Sequence, residues 1–425
     1  MNDELLGPVR GRGLRTAAWV LYDLANTVYA ATLTFLFTPW FGEQQGGLTG
    51  LAVVNFASMI VAGLVVPALG ALVDHTTRTR RYLTVATLMC ILALACWRFE
   101  FGTAWLLGCF FVANLAYNLS LLFYNSLLPS VAPPDRAGRV SALGVGVGYF
   151  ATILVLIVLL ELDVAPPNKF PIAGGLFLAF ALPCLLLVRD RRRPDAGSTA
   201  VAVRAAFRTL KKTLRELPRH PSLFWFLLAN FCFVDVLNTA VLFFAELTKS
   251  TFAPAAAAGT IELVGIHFDG DDGLLSLIKV CGLSLNGLAL VYGLSIGRWT
   301  DRAPLAVIAT GGIALFGALV GGAMFAGESA LGDLLTLVAL GAFGLTAIQA
   351  AGRKVIVLLA PRDQVGQYFG LYGITLKLSV FGGVIYGVVR DTFDAKAALL
   401  AQSPQLLLGL VFLAMVRLPK REGAA

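Results

Sequence analysis

A chain of 425 residues with 58% hydrophobic and 14% charged residues, and a mean hydropathy of +0.80, is too apolar for a water-soluble domain. Such domains carry about a quarter charged residues. The composition therefore excludes an ordinary soluble enzyme, and the net charge of +8, gathered in loops, makes no case for nucleic-acid binding.

Uncharged runs such as Leu48–Val73, Leu83–Trp97 and Val140–Leu160 approach or exceed the length that crosses a hydrocarbon layer about 30 Å thick. Twelve spans are expected: 16–40, 48–73, 82–99, 103–129, 139–162, 170–188, 222–247, 273–297, 304–326, 331–359, 367–390 and 397–416. The first run is as long as a span, so it reads as a membrane helix and not as a cleaved leader. All six cysteines fall in apolar runs without a CxxC spacing and read as packing residues.

Orientation follows from basic residues. Of the 33 Lys and Arg, 26 fall to the termini and the loops on their side, three of them in the loop between spans ten and eleven. Only five lie in opposite loops, while Lys279 and Lys377 remain inside spans. Both termini are thus expected on the cytoplasmic side. Residues 1–188 and 222–425 form two six-helix bundles in this reading. Segment 189–221 joins them, with Val203, Phe207, Leu210, Leu214 and Leu217 at helical spacing among basic residues. That pattern suits a helix lying on an anionic inner leaflet.

The two bundles share motifs. Gly70-Ala-Leu-Val-Asp74 follows span two and Gly297-Arg-Trp-Thr-Asp301-Arg302 follows span eight, 227 residues later. Asp135-Arg-Ala-Gly138-Arg139 precedes span five, and Asp363-Gln-Val-Gly366-Gln367 precedes span eleven, 228 residues later. Two motifs displaced by nearly one distance point to a duplicated half.

Gly70-x-x-x-Asp74 with Arg78, Arg80 and Arg81 resembles the signature of the major facilitator superfamily, although His75 and Thr77 depart from it. Further segments are similar to its vacuole-effluxer-like branch: Trp19-Val-Leu-Tyr22-Asp23-Leu-Ala-Asn26-Thr27, Phe123-Tyr124-Asn125-Ser-Leu-Leu-Pro129, Arg139-Val-Ser141 with Gly148-Tyr149, Asp235-Val-Leu-Asn238-Thr239 and Tyr368-Phe-Gly370-Leu-Tyr372-Gly. The resemblance implies an all-α fold of two pseudo-symmetric six-helix bundles and secondary transport by alternating access. Amino-acid export is the best-known activity of that branch. It also implies that spans one and seven face each other across a central cavity. Asp74, Arg78, Arg81, Asp135, Arg139, Asp301 and Arg302 are then expected to gate the cytoplasmic side.

Ionisable groups inside spans are costly, about 2.5–3.5 kcal/mol each on insertion scales, so they mark candidate sites. Asp23-x-x-Asn26-Thr27 recurs as Asp235-x-x-Asn238-Thr239, and in each the Asp and Asn share a helix face. Tyr22, Asn26 and Tyr29 extend the first face. Span four carries a stripe of Asn114, Tyr117, Asn118 and Asn125, and span eleven one of Tyr368, Tyr372, Thr375 and Ser379. Lys377 lies off that stripe and is open to a substrate or a structural role. Tyr22, Asp23, Asn26, Asn114, Asn118, Asp235, Asn238, Tyr372 and Lys377 are the candidate binding residues for a small polar or zwitterionic solute, with Asp23 the expected carrier of a coupling proton. Two rivals are a cation porter using Asp23, Asn26 and Asp235, and a transporter-like sensor that has stopped transporting. Gly144-Val-Gly146-Val-Gly148 lacks a strand–helix setting and reads as helix packing, and no cofactor or resident metal is expected. A monomer is expected.

Overall fold

The computed structural model describes residues 12–190 except 46–48, 77 and 160–161, then 215, 217–242, 262–263, 266–267, and 270–419 except 326–329, 362–363 and 380. The amphipathic stretch expected within 189–221 lies almost wholly outside these residues, as does Asp363.

Eleven helices among the described residues are long and apolar enough to span a membrane: Gly13–Phe37, Val53–Gly70, Thr79–Arg98, Thr103–Ser126, Ala137–Leu159, Pro166–Leu187, Pro221–Val241, Pro304–Met324, Leu337–Leu359, Val365–Arg390 and Lys396–Ala414. The helix Gly270–Ser295, apolar over Val280–Ser295, takes the place of span eight and completes twelve. Helices satisfy their own backbone, which hydrocarbon demands. Two-residue strands, Glu262–Leu263 and Ile266–His267, pair antiparallel before span eight.

Within the first bundle, span one packs against five and six, span three against four and six, and span two against four. Within the second, span seven packs against eleven and twelve, eight and nine each against ten, and nine against twelve. The bundles meet where span five lies on eight and span two on eleven. Leu64, Leu92, Phe56, Leu186, Ile313 and Val388 are each more than half exposed. Water would penalise that surface, whereas lipid tails accept it.

Glycine sets how near the bundles come. A Cβ at Gly293 of span eight would strike the Cα of Gly146 in span five and stand 2.7 Å from its nitrogen. A Cβ at Gly70 would strike the Gly366 carbonyl oxygen and lie 3.2 Å from the Cα of Gly370. Span backbones thus touch directly, as small residues permit in membranes. The glycine run of span five is helix packing, as expected: Gly144 leaves room for Asp23 and Gly148 for Thr27.

Several spans depart from regular α-helix among the described residues. Spans one and five end in π-helical turns, Leu33–Phe37 and Val155–Leu159. Span eleven is broken, its first helix ending at Leu378 and its second beginning at Phe381, with Ser379 at φ −73°, ψ 72° between them. Just outside the membrane, the start of span three is tied to the end of span six, where Asp190 accepts the Arg80 N–H at 2.7 Å. Burial raises the Asp190 carboxyl above its usual range, partly offset by that bond and by the Arg80 and Arg81 charges.

Candidate functional site

Among the described residues, polar groups join the bundles at three main levels, rising from the face that bears the termini to mid-membrane. At the lowest, Asp301 at the end of span eight reaches the start of span five. Its Oδ1 accepts the Gly138 N–H at 2.7 Å and the Arg139 N–H at 3.2 Å, and its Oδ2 pairs with the Arg139 guanidinium at 3.0 Å. Lys354 of span ten, wholly buried, pairs with Asp301 at 3.3 Å and donates to the Pro134 carbonyl oxygen. The carboxylate therefore sits at a helix N-terminus and between two cations, each of which favours negative charge.

Of the other residues proposed for this face, Arg78, Arg81 and Arg302 are exposed, and Asp135 pairs at the surface with Arg136 at 3.7 Å. The Asp74 side chain is outside the described set. Asp301→Asn keeps an acceptor but removes the charge, and charged hydrogen bonds are worth about 1.5–3 kcal/mol. Amide exchange at Gly138 and Arg139 is expected to quicken about tenfold or more in that variant, a factor matching ~1.4 kcal/mol. Hydrogen-exchange mass spectrometry of residues 134–142 reads it.

At the second level Asp23 of span one pairs with Arg353 of span ten, Oδ2 to Nη1 at 2.6 Å and Oδ1 to Nη2 at 3.2 Å. The pair is bidentate, with 12% of the Arg353 side chain and 8% of the Asp23 side chain exposed. The guanidinium lies 5.7 Å from the ring centre of Tyr124 and 6.0 Å from that of Trp19, which are stacked on each other. Aromatic faces add attraction to a cation already held by a carboxylate. A Cβ at Gly144 would stand 2.6 Å from the Asp23 carboxylate, so only glycine leaves the space. Close by, the Ser141 hydroxyl donates to the Ala350 carbonyl oxygen at 2.9 Å across the same seam.

At the third level Lys377, about 18 Å along span eleven from Val365, donates to Asn118 Oδ1 of span four. Asn118 donates in turn to the Asn114 carbonyl oxygen at 2.7 Å. Asn114 donates to Asn55 at 3.0 Å and to Ser58 at 2.7 Å in span two. Lys377 is buried, and among the described residues it has no carboxylate partner. The stripe on span four and the lysine off the stripe of span eleven thus meet across the seam.

The remaining candidates sit elsewhere. Tyr22 points into its own bundle, its hydroxyl hydrogen-bonded to Thr87 of span three and its ring stacked on Tyr124. Asn26 is buried, and its side-chain amide atoms make no hydrogen bond. Tyr372 stacks near Phe226, and a Cβ at Gly352 would lie 2.9 Å from its hydroxyl, next to Arg353. Asp235 and Asn238, read as the counterpart of Asp23 and Asn26, have different partners. Asn238 donates to the Ser379 carbonyl oxygen at 3.0 Å, while Asp235 accepts the Gly382 N–H at 2.7 Å and Gln405 Nε2 at 2.6 Å. The two residues bracket the break in span eleven and satisfy backbone groups that the break frees.

Arg353 and Lys354 are the residues that reading the sequence missed. They were counted with the loop between spans ten and eleven, although the expected span 331–359 encloses both. The physical signal was present: adjacent cations within a continuous apolar run, which hydrocarbon tolerates only when they are paired.

The family description "Vacuole effluxer Atg22 like" matches residues 49–425. The Bacillus subtilis (strain 168) protein YxiO, described as an uncharacterized MFS-type transporter, is 25% identical over an alignment covering 94% of each chain. Among solved structures, the human organic anion transporter MFSD10 superposes with a TM-score of 0.70 at 15% identity, covering 96% of this chain and all of that one. The Escherichia coli fucose:proton symporter FucP superposes with a TM-score of 0.70 at 14% identity, covering 97% and 99%. Twelve helices in two bundles, charges paired across the seam and a family match over most of the length agree: the chain belongs to the vacuole effluxer Atg22-like family of major facilitator secondary transporters.

Proposed function

We propose that this transporter moves a small zwitterionic, amino-acid-like solute by alternating access, coupled to protons, across a bacterial inner membrane with both termini in the cytoplasm. The observation that carries the reading is Lys377: a buried cation at mid-membrane, bonded to the Asn118 amide of the opposite bundle, with no carboxylate partner among the described residues. A solute carboxylate supplies the missing charge, and the Asn114–Asn118 stripe supplies hydrogen bonds to its polar groups. Two structural neighbours, an organic anion transporter and a fucose:proton symporter, accord with an anionic group and with proton drive.

The charge pairs suggest how the cycle turns. Asp301 with Arg139 and Lys354 acts as the cytoplasmic gate, and Asp23 with Arg353 locks the bundles above it. A proton on Asp23 cancels its charge, releases Arg353 and lets the bundles part on that side. The family description favours export as the direction. The expected linker helix rests on the anionic inner leaflet in this reading.

The test is binding and flux with purified protein in proteoliposomes, using amino acids beside their decarboxylated and amine-blocked analogues. Lys377→Gln is expected to abolish the thermal stabilisation given by carboxylate-bearing solutes, while Lys377→Arg keeps part of it. Equal stabilisation by decarboxylated analogues, or a shift that survives Lys377→Gln, would remove the lysine from the site.

A further inference from the structure

We infer that the break in span eleven, with Asp235 of span seven and Gln402 before span twelve, forms a binding site for a monovalent alkali cation of sodium's size. The site is distinct from Asp23 and Lys377 and goes beyond the proposed solute pathway.

Three side-chain oxygens crowd one side of Gly382. The place a Cβ would occupy at Gly382 is 2.6 Å from Thr239 Oγ1, 2.8 Å from Gln402 Oε1 and 3.1 Å from Asp235 Oδ2. Glycine leaves that cradle open. All three residues are buried: Asp235 is 0% exposed, Gln402 2% and Thr239 3%. Two of the groups carry spare acceptors, since Asp235 Oδ1 and Gln402 Oε1 make no hydrogen bond. The Gln402 orientation is set because its Nε2 donates to the Gly382 carbonyl oxygen at 3.1 Å. Thr239 spends its proton on the Asp235 carbonyl oxygen at 2.8 Å, leaving its lone pairs toward the cradle.

Orphaned oxygens buried in a membrane protein are costly, and a cation is the ligand that satisfies several at once. Oxygen donors in this number suit a hard cation. One carboxylate among neutral donors suits a single positive charge better than a divalent ion, which gathers more carboxylates. Discontinuous helices are where membrane transporters hold such ions, because the break exposes backbone carbonyls beside side-chain oxygens. Here Asn238 holds the Ser379 carbonyl in place at the end of the first half-helix.

Thermal unfolding of the purified full chain in detergent tests this, with sodium chloride titrated against choline chloride at constant ionic strength. Sodium is expected to raise the melting temperature along a saturating curve that choline does not reproduce. Thr239→Val, which keeps the side-chain shape, and Gln402→Met are expected to weaken that response, and Asp235→Asn and Gly382→Ala to abolish it. Asp23→Asn and Lys377→Gln are expected to leave it intact, so failure of the solute reading and failure of this one give different results. No sodium response in the wild type, or a response surviving both Asp235→Asn and Thr239→Val, overturns the site. A melting temperature that answers to pH but not to sodium also overturns it, since a proton then occupies the carboxylate.

Discussion

Arg353→Met is expected to stop transport and to lower stability by about 3–5 kcal/mol, the cost of stranding a buried charge whose partner is gone. The pair is nearly dry and bidentate, and it joins span one to span ten across the two bundles. Losing the guanidinium leaves the Asp23 carboxylate facing Trp19 and Tyr124 with no cation to answer it. Removing both charges is a milder change, because replacing a buried pair by neutral groups is often close to neutral. The double variant Asp23→Asn/Arg353→Met is therefore expected to recover most of the lost stability while its transport no longer responds to pH. Thermal unfolding in detergent reads the first quantity and proteoliposome flux at several pH values reads the second. Wild-type stability in the single variant would show that the pair contributes nothing to holding the bundles. Undiminished pH dependence in Asp23→Asn would remove that residue from proton coupling.

Gly293→Val is expected to produce the largest conformational effect. Its new side chain strikes the Gly146 backbone and stands 3.0 Å from the Ala142 carbonyl oxygen, and backbone cannot swing away as a side-chain tip can. Overpacking of this kind costs about 1–3 kcal/mol, and ~1.4 kcal/mol already changes an equilibrium tenfold. The state with the bundles closed on the terminus-bearing face is thereby depopulated. Ser141, wholly buried and bonded across the seam to Ala350, is the reporter. Maleimide labelling of Ser141→Cys, with the native cysteines replaced, is expected to quicken about tenfold or more when Gly293→Val is added. An unchanged labelling rate would mean that the seam accommodates the methyl groups elsewhere.

Span positions were legible in the sequence because twelve apolar runs have few alternatives in lipid. The duplicated motifs were legible too, and they mark residues that the fold brings to the seam. Asp23 and the asparagines of span four stood out for the same reason that Lys377 did, a polar group in an apolar run. Their partners did not, because pairing across bundles joins positions hundreds of residues apart and leaves no local pattern. Arg353 was passed over because basic residues near a helix end read as topology signals. The break in span eleven also escaped notice. Ser379 is an ordinary helix residue, and the paired glycines Gly382-Gly383 that follow it resemble packing glycines seen throughout the chain. The likeness of Asp23-x-x-Asn26 to Asp235-x-x-Asn238 suggested equal roles, yet one carboxylate meets a guanidinium and the other a helix start. Neighbouring helices, not the motif, decide which.

The glycine contacts carry a consequence for ancestry. Gly70 lies against Gly366, and Gly297 lies against Arg139 beside Gly138, a Cβ there standing 2.9 Å from the Arg139 Cα. By the duplicated motifs, Gly297 is the copy of Gly70 and Gly366 the copy of Gly138. One patch and its mate are therefore used twice, in opposite sense, as in a twofold dimer of identical subunits. A six-helix forerunner would need only one such self-complementary surface, and fusion of two copies would hold the partnership within a single polypeptide.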